Sequence, residues 1–220
     1  MTKAFSLIEL IFVIVIIGII SSFVIPSIKT NPLQEAAIQL VSDIRYTQHL
    51  AMNDDLYNLN SNSWYENRWR LKFYKGVKSD DKLSYTICNK EDSHTNINVN
   101  NVAKNPLDSM QLLSGGHSSS SIKLNVNNEK FIGMKKLNLG KSYDVSSYTL
   151  SGGCKDSRIN FDFLGRPIYR DPNKYIEIYK YKKNKKVLIE ESCQITLMNI
   201  NNEKIKVVIE AETGKVKIIH

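Results

Sequence analysis

A run of apolar residues dominates the start of this chain. From Leu10 to Ile20 every residue is apolar or glycine, and the wider stretch Phe5–Ile25 is about 20 residues of membrane-spanning material, roughly 30 Å as a helix. Lys3 precedes it, Lys29 follows it, and a single acid, Glu9, sits inside it. A carboxylate within a membrane helix costs about 2.5–3.5 kcal/mol on insertion scales, less near an end, and such acids usually have a partner. An ordinary signal peptide or signal anchor has no use for one. Nor does a peptidase site with small residues at both −3 and −1 follow near Ser21 and Ser22, where Ile and Phe crowd the positions.

The residues around the acid are specific. Lys3-Ala4-Phe5-Ser6-Leu7-Ile8-Glu9-Leu10 resembles the processing motif of type IV prepilins and type II secretion pseudopilins. That family has Gly where this chain has Ala4. The resemblance implies a leader of residues 1–4, cleavage between Ala4 and Phe5 by a prepilin peptidase, and N-methylation of the new Phe5 amine. It also implies an assembly role for Glu9, paired with the amino terminus of a neighbouring pilin or pseudopilin. After such a cut the Phe5 amine and the Glu9 carboxylate are four residues apart on one helical face. The acid also falls in the first turn, where the helix dipole favours negative charge. A competing reading has Glu9 only capping its own helix.

Pro26 falls where the apolar run ends and should kink the helix. After Pro32 the pattern turns amphipathic, with Leu33, Ala37, Leu40, Ile44, Thr47 and Ala51 in one stripe and Gln39, Asp43 and His49 largely elsewhere. Asn53-Asp54-Asp55 is a stop signal. A helix from Phe5 to about Asn53 would run roughly 70 Å.

Beyond it the signals are those of strands. Residues 68–74 and 83–88 alternate on either side of a Gly/Asp-rich turn. Residues 89–121 read as a long irregular insertion, and 122–126 resume alternation. Ser114-Gly115-Gly116 is no phosphate loop, because no Lys-Ser/Thr pair and helix follow. The strand patterns at 159–163, 175–182, 194–197, 205–209 and 215–219 are the clearest in the chain. Turns at Leu164–Pro167 and Thr213-Gly214 separate some of them, the glycine being available for positive φ.

Two of these pieces carry a second resemblance. Phe161-Asp162-Phe163-Leu164-Gly165-Arg166-Pro167 resembles the F-D-x-x-G-R-P turn of H-type pseudopilins and FimT-like minor pilins, and Ile205–Ile218 with Thr213-Gly214-Lys215-Val216 resembles their closing hairpin. The implied fold is α+β: a long N-terminal helix, membrane-spanning then amphipathic, packed on a C-terminal antiparallel domain of two small sheets. The expected organisation is a leader 1–4, a stalk helix 5–55 with a transmembrane segment 7–25, and a β-rich domain 56–220. The expected role is that of a minor pseudopilin in a secretion or DNA-uptake machine. It would cross the inner membrane once, with the C-terminal domain in the periplasm.

A net charge of +8 raises a DNA-binding alternative. Its best feature is Tyr175–Lys186, where Lys180, Lys182, Lys183, Lys185 and Lys186 lie beside Tyr179 and Tyr181, cations for phosphate and rings for stacking. The blander reading is a solvated hairpin tip whose lysines guard an edge strand. Asn, Lys, Ile and Tyr are also enriched together, as a low-GC coding sequence produces whatever the function.

No catalytic constellation emerges, and no cofactor is expected. His49, His94, His117 and His220 have no mutual spacing for metal or nucleophilic chemistry and read as surface or loop residues. The three cysteines lack zinc spacing, so outside the cytoplasm one disulfide and one thiol are expected. Cys154 lies just before the strand of Phe161 and Phe163, and Cys193 opens the strand of Ile195 and Leu197. If those strands are neighbours, Cys154 and Cys193 pair and Cys88 stays a buried thiol. Sequence leaves the pairings of Cys88 with either of the others open.

Overall fold

In the computed structural model, which describes residues 6–24, 31–54, 60, 67–90, 96–154, 156–168 and 189–219, the apolar run forms a helix, α1 (Leu7–Val24). Its many Ile and Val residues lose side-chain freedom in a helix. A segment apolar on every side nevertheless favours helix in an apolar medium, because its backbone groups then bond within the segment. The large side chains from Leu7 to Ile20 are exposed all round. At 18 residues α1 is about 27 Å long, and among the described residues no helix is long and apolar enough to cross a membrane. The single helix expected from Phe5 to about Asn53 is described as two, α1 and α2 (Pro32–Asn53). Pro26 and its expected kink lie outside the described residues.

The chain divides into two units, Met1–Asn31 and Pro32–His220. The second is α+β. Helix α2 begins on Asn31-Pro32, a capping residue type followed by a proline at the first helical position, where a missing N–H costs nothing. Leu33, Ala37, Leu40, Ile44 and Thr47 of the expected stripe are buried, and Ala51 is half-buried. Asp43, expected away from that stripe, is buried as well. The helix ends at Asn53, whose side chain donates to the carbonyl of His49 (2.7 Å).

All strand pairings named here are antiparallel. One sheet runs in the order β2 (Ser84–Cys88), β1 (Arg70–Tyr74), β6 (Arg158–Phe161), β7 (Pro167–Ile168). The other runs β10 (Val216–Ile219), β9 (Lys204–Ile209), β8 (Cys193–Asn199), β5 (Val145–Gly152). Helix α2 lies against β8, β9 and β10 of the second sheet and β1 and β6 of the first, so one core serves helix and sheets. The period-2 pattern explains the inward faces: Ile205, Val207 and Ile209 of β9 are buried with Ile195 and Leu197 of β8, in the register Ile195 to Val207 and Leu197 to Ile205. Each such side chain stabilises the fold by about 1.5–3 kcal/mol when fully buried.

Several expectations are corrected. Strand β5 has no counterpart in the sequence reading, because Ser146-Ser147 and Ser151-Gly152 dilute its apolar alternation. The segment 159–163 stops being strand at Phe161, and Phe163 lies in a turn, exposed. Residues 122–126 form a 3₁₀ turn (Ile122–Leu124), with Leu124 alone of its apolar residues fully buried. The Ser121 hydroxyl caps it by accepting from the Lys123 N–H.

Residues 96–121 are not merely irregular: β3 (Lys104–Asn105) and β4 (Asp108–Leu112) make a ribbon. Ile97, Val102, Leu112 and Leu124 bury around Cys88 as a satellite core. His117 is buried with its ring 4.6 Å from that of Tyr74, not a surface histidine. A Cβ on Gly115 would stand 2.2 Å from the Leu137 backbone, which gives that glycine a packing reason. The strand expected at 175–182 lies outside the described residues.

Candidate functional site

Ser6 and Glu9 cap the start of α1 with two side-chain bonds. The Ser6 hydroxyl accepts from the Ile8 N–H (3.2 Å), and the Glu9 carboxylate accepts from the Ser6 N–H (3.2 Å). The self-capping geometry weighed for Glu9 is therefore present. It uses one carboxylate oxygen, and the side chain is exposed. Ala4 and Phe5, the expected cleavage and methylation positions, lie outside the described residues. So do Tyr179, Lys180, Tyr181, Lys182, Lys183, Lys185 and Lys186, the candidate DNA contacts.

In the Pro32–His220 unit the two glycine turns meet at one side chain. Asp162 organises the first turn: its Oδ1 accepts from the Leu164 N–H (3.0 Å) and the Arg166 N–H (2.8 Å), and its Oδ2 takes the Arg166 guanidinium at 2.9 and 2.8 Å. Gly165 has φ +74° there, and Gly214 in the second turn has φ +67°, both in the region that favours glycine. Gln48 of α2 reaches both turns, its Nε2 donating to the carbonyl oxygens of Gly165 (2.8 Å) and Gly214 (2.6 Å). A Cβ on Gly214 would stand 2.4 Å from the Gly165 oxygen and 2.8 Å from that nitrogen, so the turns approach this closely only with glycine. The sequence reading singled out both turns and missed Gln48. A polar residue on a helix carries no periodic signal of a partner more than 100 positions away.

A second buried polar group lies on the same helix. Oδ2 of Asp43 accepts from the Tyr85 hydroxyl and from Gln39 Nε2 (3.0 Å). Burial pushes the Asp43 carboxyl above its ordinary range, against the opposing effect of those two bonds. Burial first, then the adjacent Asp43 charge, pushes the Tyr85 phenol well up, so it remains a donor.

Cys154 and Cys193 form a disulfide with a Cα separation of 4.9 Å, and Cys88 is buried outside it. The strand adjacency expected behind that bond is wrong. β6, which follows Cys154, belongs to the other sheet; β8 pairs with β5, whose Gly152 stands opposite Cys193 two residues before Cys154. Among the described residues no group of three or more His, Cys, Asp or Glu side chains could hold a metal ion.

These features define an α+β protein with an apolar N-terminal helix and an amphipathic helix held on two antiparallel sheets. The chain matches no protein-family model, no curated protein and no solved structure.

Proposed function

We propose that this chain is a type IV pilin-like subunit, a minor pseudopilin that helps initiate or cap a short filament of a type II secretion or transformation machine. The observation that carries the proposal is the sequence Lys3–Leu10, a prepilin-type processing motif leading into an apolar run that holds one acid. The role is structural rather than catalytic. The partners are other pilins or pseudopilins through the N-terminal helix, a prepilin peptidase and the inner membrane.

Two structural features and one of the sequence support this reading. An exposed helix apolar on every side is suited to lipid and to packing among like helices. The full apolar sequence extends past α1 to Ile25 and reaches the length a bilayer requires. The Cys154–Cys193 bond is at home outside the cytoplasm, as a periplasmic C-terminal domain requires.

Glu9→Ala tests the assembly role. The variant should insert and fold, since removing an intramembrane charge lowers the insertion cost, yet fail to restore machine function in a deletion strain. Full complementation would contradict pairing of Glu9 across subunits. A second reading, DNA capture at the tip of a competence pilus, is favoured by the Lys/Tyr interleaving of Tyr175–Lys186. It requires binding that falls steeply with salt and disappears when Lys182, Lys183, Lys185 and Lys186 become Gln.

A further inference from the structure

The turns joined by Gln48 form the floor of a groove of about 370 Å³ beside the C-terminal half of α2. Its walls differ. Met52 and Leu164 supply apolar surface and are 51% and 53% exposed, far more than core residues of this chain. Arg45 and Lys215 supply two exposed cations. No carboxylate lines the groove among the described residues. Arg45 spends one Nη2 contact on the carbonyl of Val216 (3.2 Å), which aims the guanidinium without neutralising it. Glu210, whose carboxyl feels Lys215, is itself bonded to Lys217 (2.6 Å) and Ser192 (2.9 Å).

The floor offers a ligand little else. The carbonyls of Gly165 and Gly214 are taken by Gln48. The N–H groups of Leu164, Gly165, Gly214 and Lys215 go to Asp162 Oδ1, the Asp162 carbonyl, the Glu210 carbonyl and Thr213 Oγ1. A neutral polar ligand therefore finds the backbone donors already used, whereas an anion finds two cations. An apolar side chain finds Met52 and Leu164, whose burial contributes about 25 cal/mol per Å².

We infer that this groove docks an acidic peptide segment of another protein, with carboxylates on Arg45 and Lys215 and an apolar anchor between Met52 and Leu164. Charge complementarity selects a different chain over a second copy, because this one carries a net charge of +8. Peptide is favoured over single-stranded nucleic acid because no aromatic ring lines the groove among the described residues, and base stacking is what holds single strands. The groove lies within the Pro32–His220 unit and stands whether or not the chain enters a filament.

The test is fluorescence anisotropy on the full chain in detergent, with a labelled peptide of alternating glutamate and leucine as probe. Binding is expected, weakened about tenfold by Lys215→Glu and separately by Leu164→Ser, as a charge pair and an apolar anchor each demand. Both side chains are exposed, so each variant should keep the wild-type unfolding midpoint. A lysine/leucine peptide should not bind. The inference is overturned by an absence of binding, by affinity unchanged in both variants, or by equal competition from polyglutamate or an oligothymidylate, which would show attraction to charge alone.

Discussion

Nε2 of Gln48 donates to the carbonyl oxygen of Gly214 at 2.6 Å, and through the same nitrogen α2 also holds Gly165. One buried amide thus fastens the β6–β7 turn and the β9–β10 turn to one helix, which fixes how the two sheets sit on it. Gln48→Leu keeps the volume and removes the donor, leaving two buried carbonyls without it. Each such group costs about 1–3 kcal/mol, so a total loss of about 2–6 kcal/mol is expected. Urea unfolding measures it; a loss below about 0.5 kcal/mol would show that the bridge does not hold the turns.

Asp43 predicts a pH dependence. Its folded-state pKa is raised by burial, so the folded chain keeps a proton in a range where the unfolded chain has released it. The site's contribution is fully present below the unfolded value and is lost as pH rises through the raised folded value. Asp43→Asn keeps an oxygen acceptor for Tyr85 and Gln39 and should flatten that fall, with neutral-pH stability equal to or above that of the parent. Tyr85→Phe removes a donor to a buried carboxylate and should cost about 1.5–3 kcal/mol at neutral pH. Denaturation curves across acid and neutral pH separate the two, and an Asp43→Asn variant with an unchanged slope would contradict the assignment.

The disulfide closes a loop with a sequence separation of 39, worth about 3–4 kcal/mol in the chain-entropy model. Cys154→Ser with Cys193→Ser should lower stability by an amount of that order. Non-reducing peptide mapping of exported protein should recover Cys154 joined to Cys193, with Cys88 alkylated only after unfolding. A mixed pairing that includes Cys88 is the contrary result.

The clearly periodic elements were legible in the sequence. The stripe Leu33, Leu40, Ile44 named the buried face of α2, and Ile205, Val207, Ile209 named that of β9. Gly165 and Gly214 marked turns because positive φ leaves a residue-type signature. Pairing between strands leaves none: serines dilute the alternation of β5, and no sequence signal sets Cys193 opposite Gly152 of β5 rather than beside β6. Buried polar links escaped for a related reason. Nothing in the local pattern of Asp43 or Gln48 separates a solvated side chain from one bonded across the core, and nothing in that of His117 marks it as buried.

The fate of the first ten residues can be read by intact mass spectrometry of protein extracted from membranes that contain a prepilin peptidase. A single species lacking Met1–Ala4 and beginning at a methylated Phe5 amine is expected. A chain that retains residues 1–4 beside an active peptidase would contradict the pilin-like assignment.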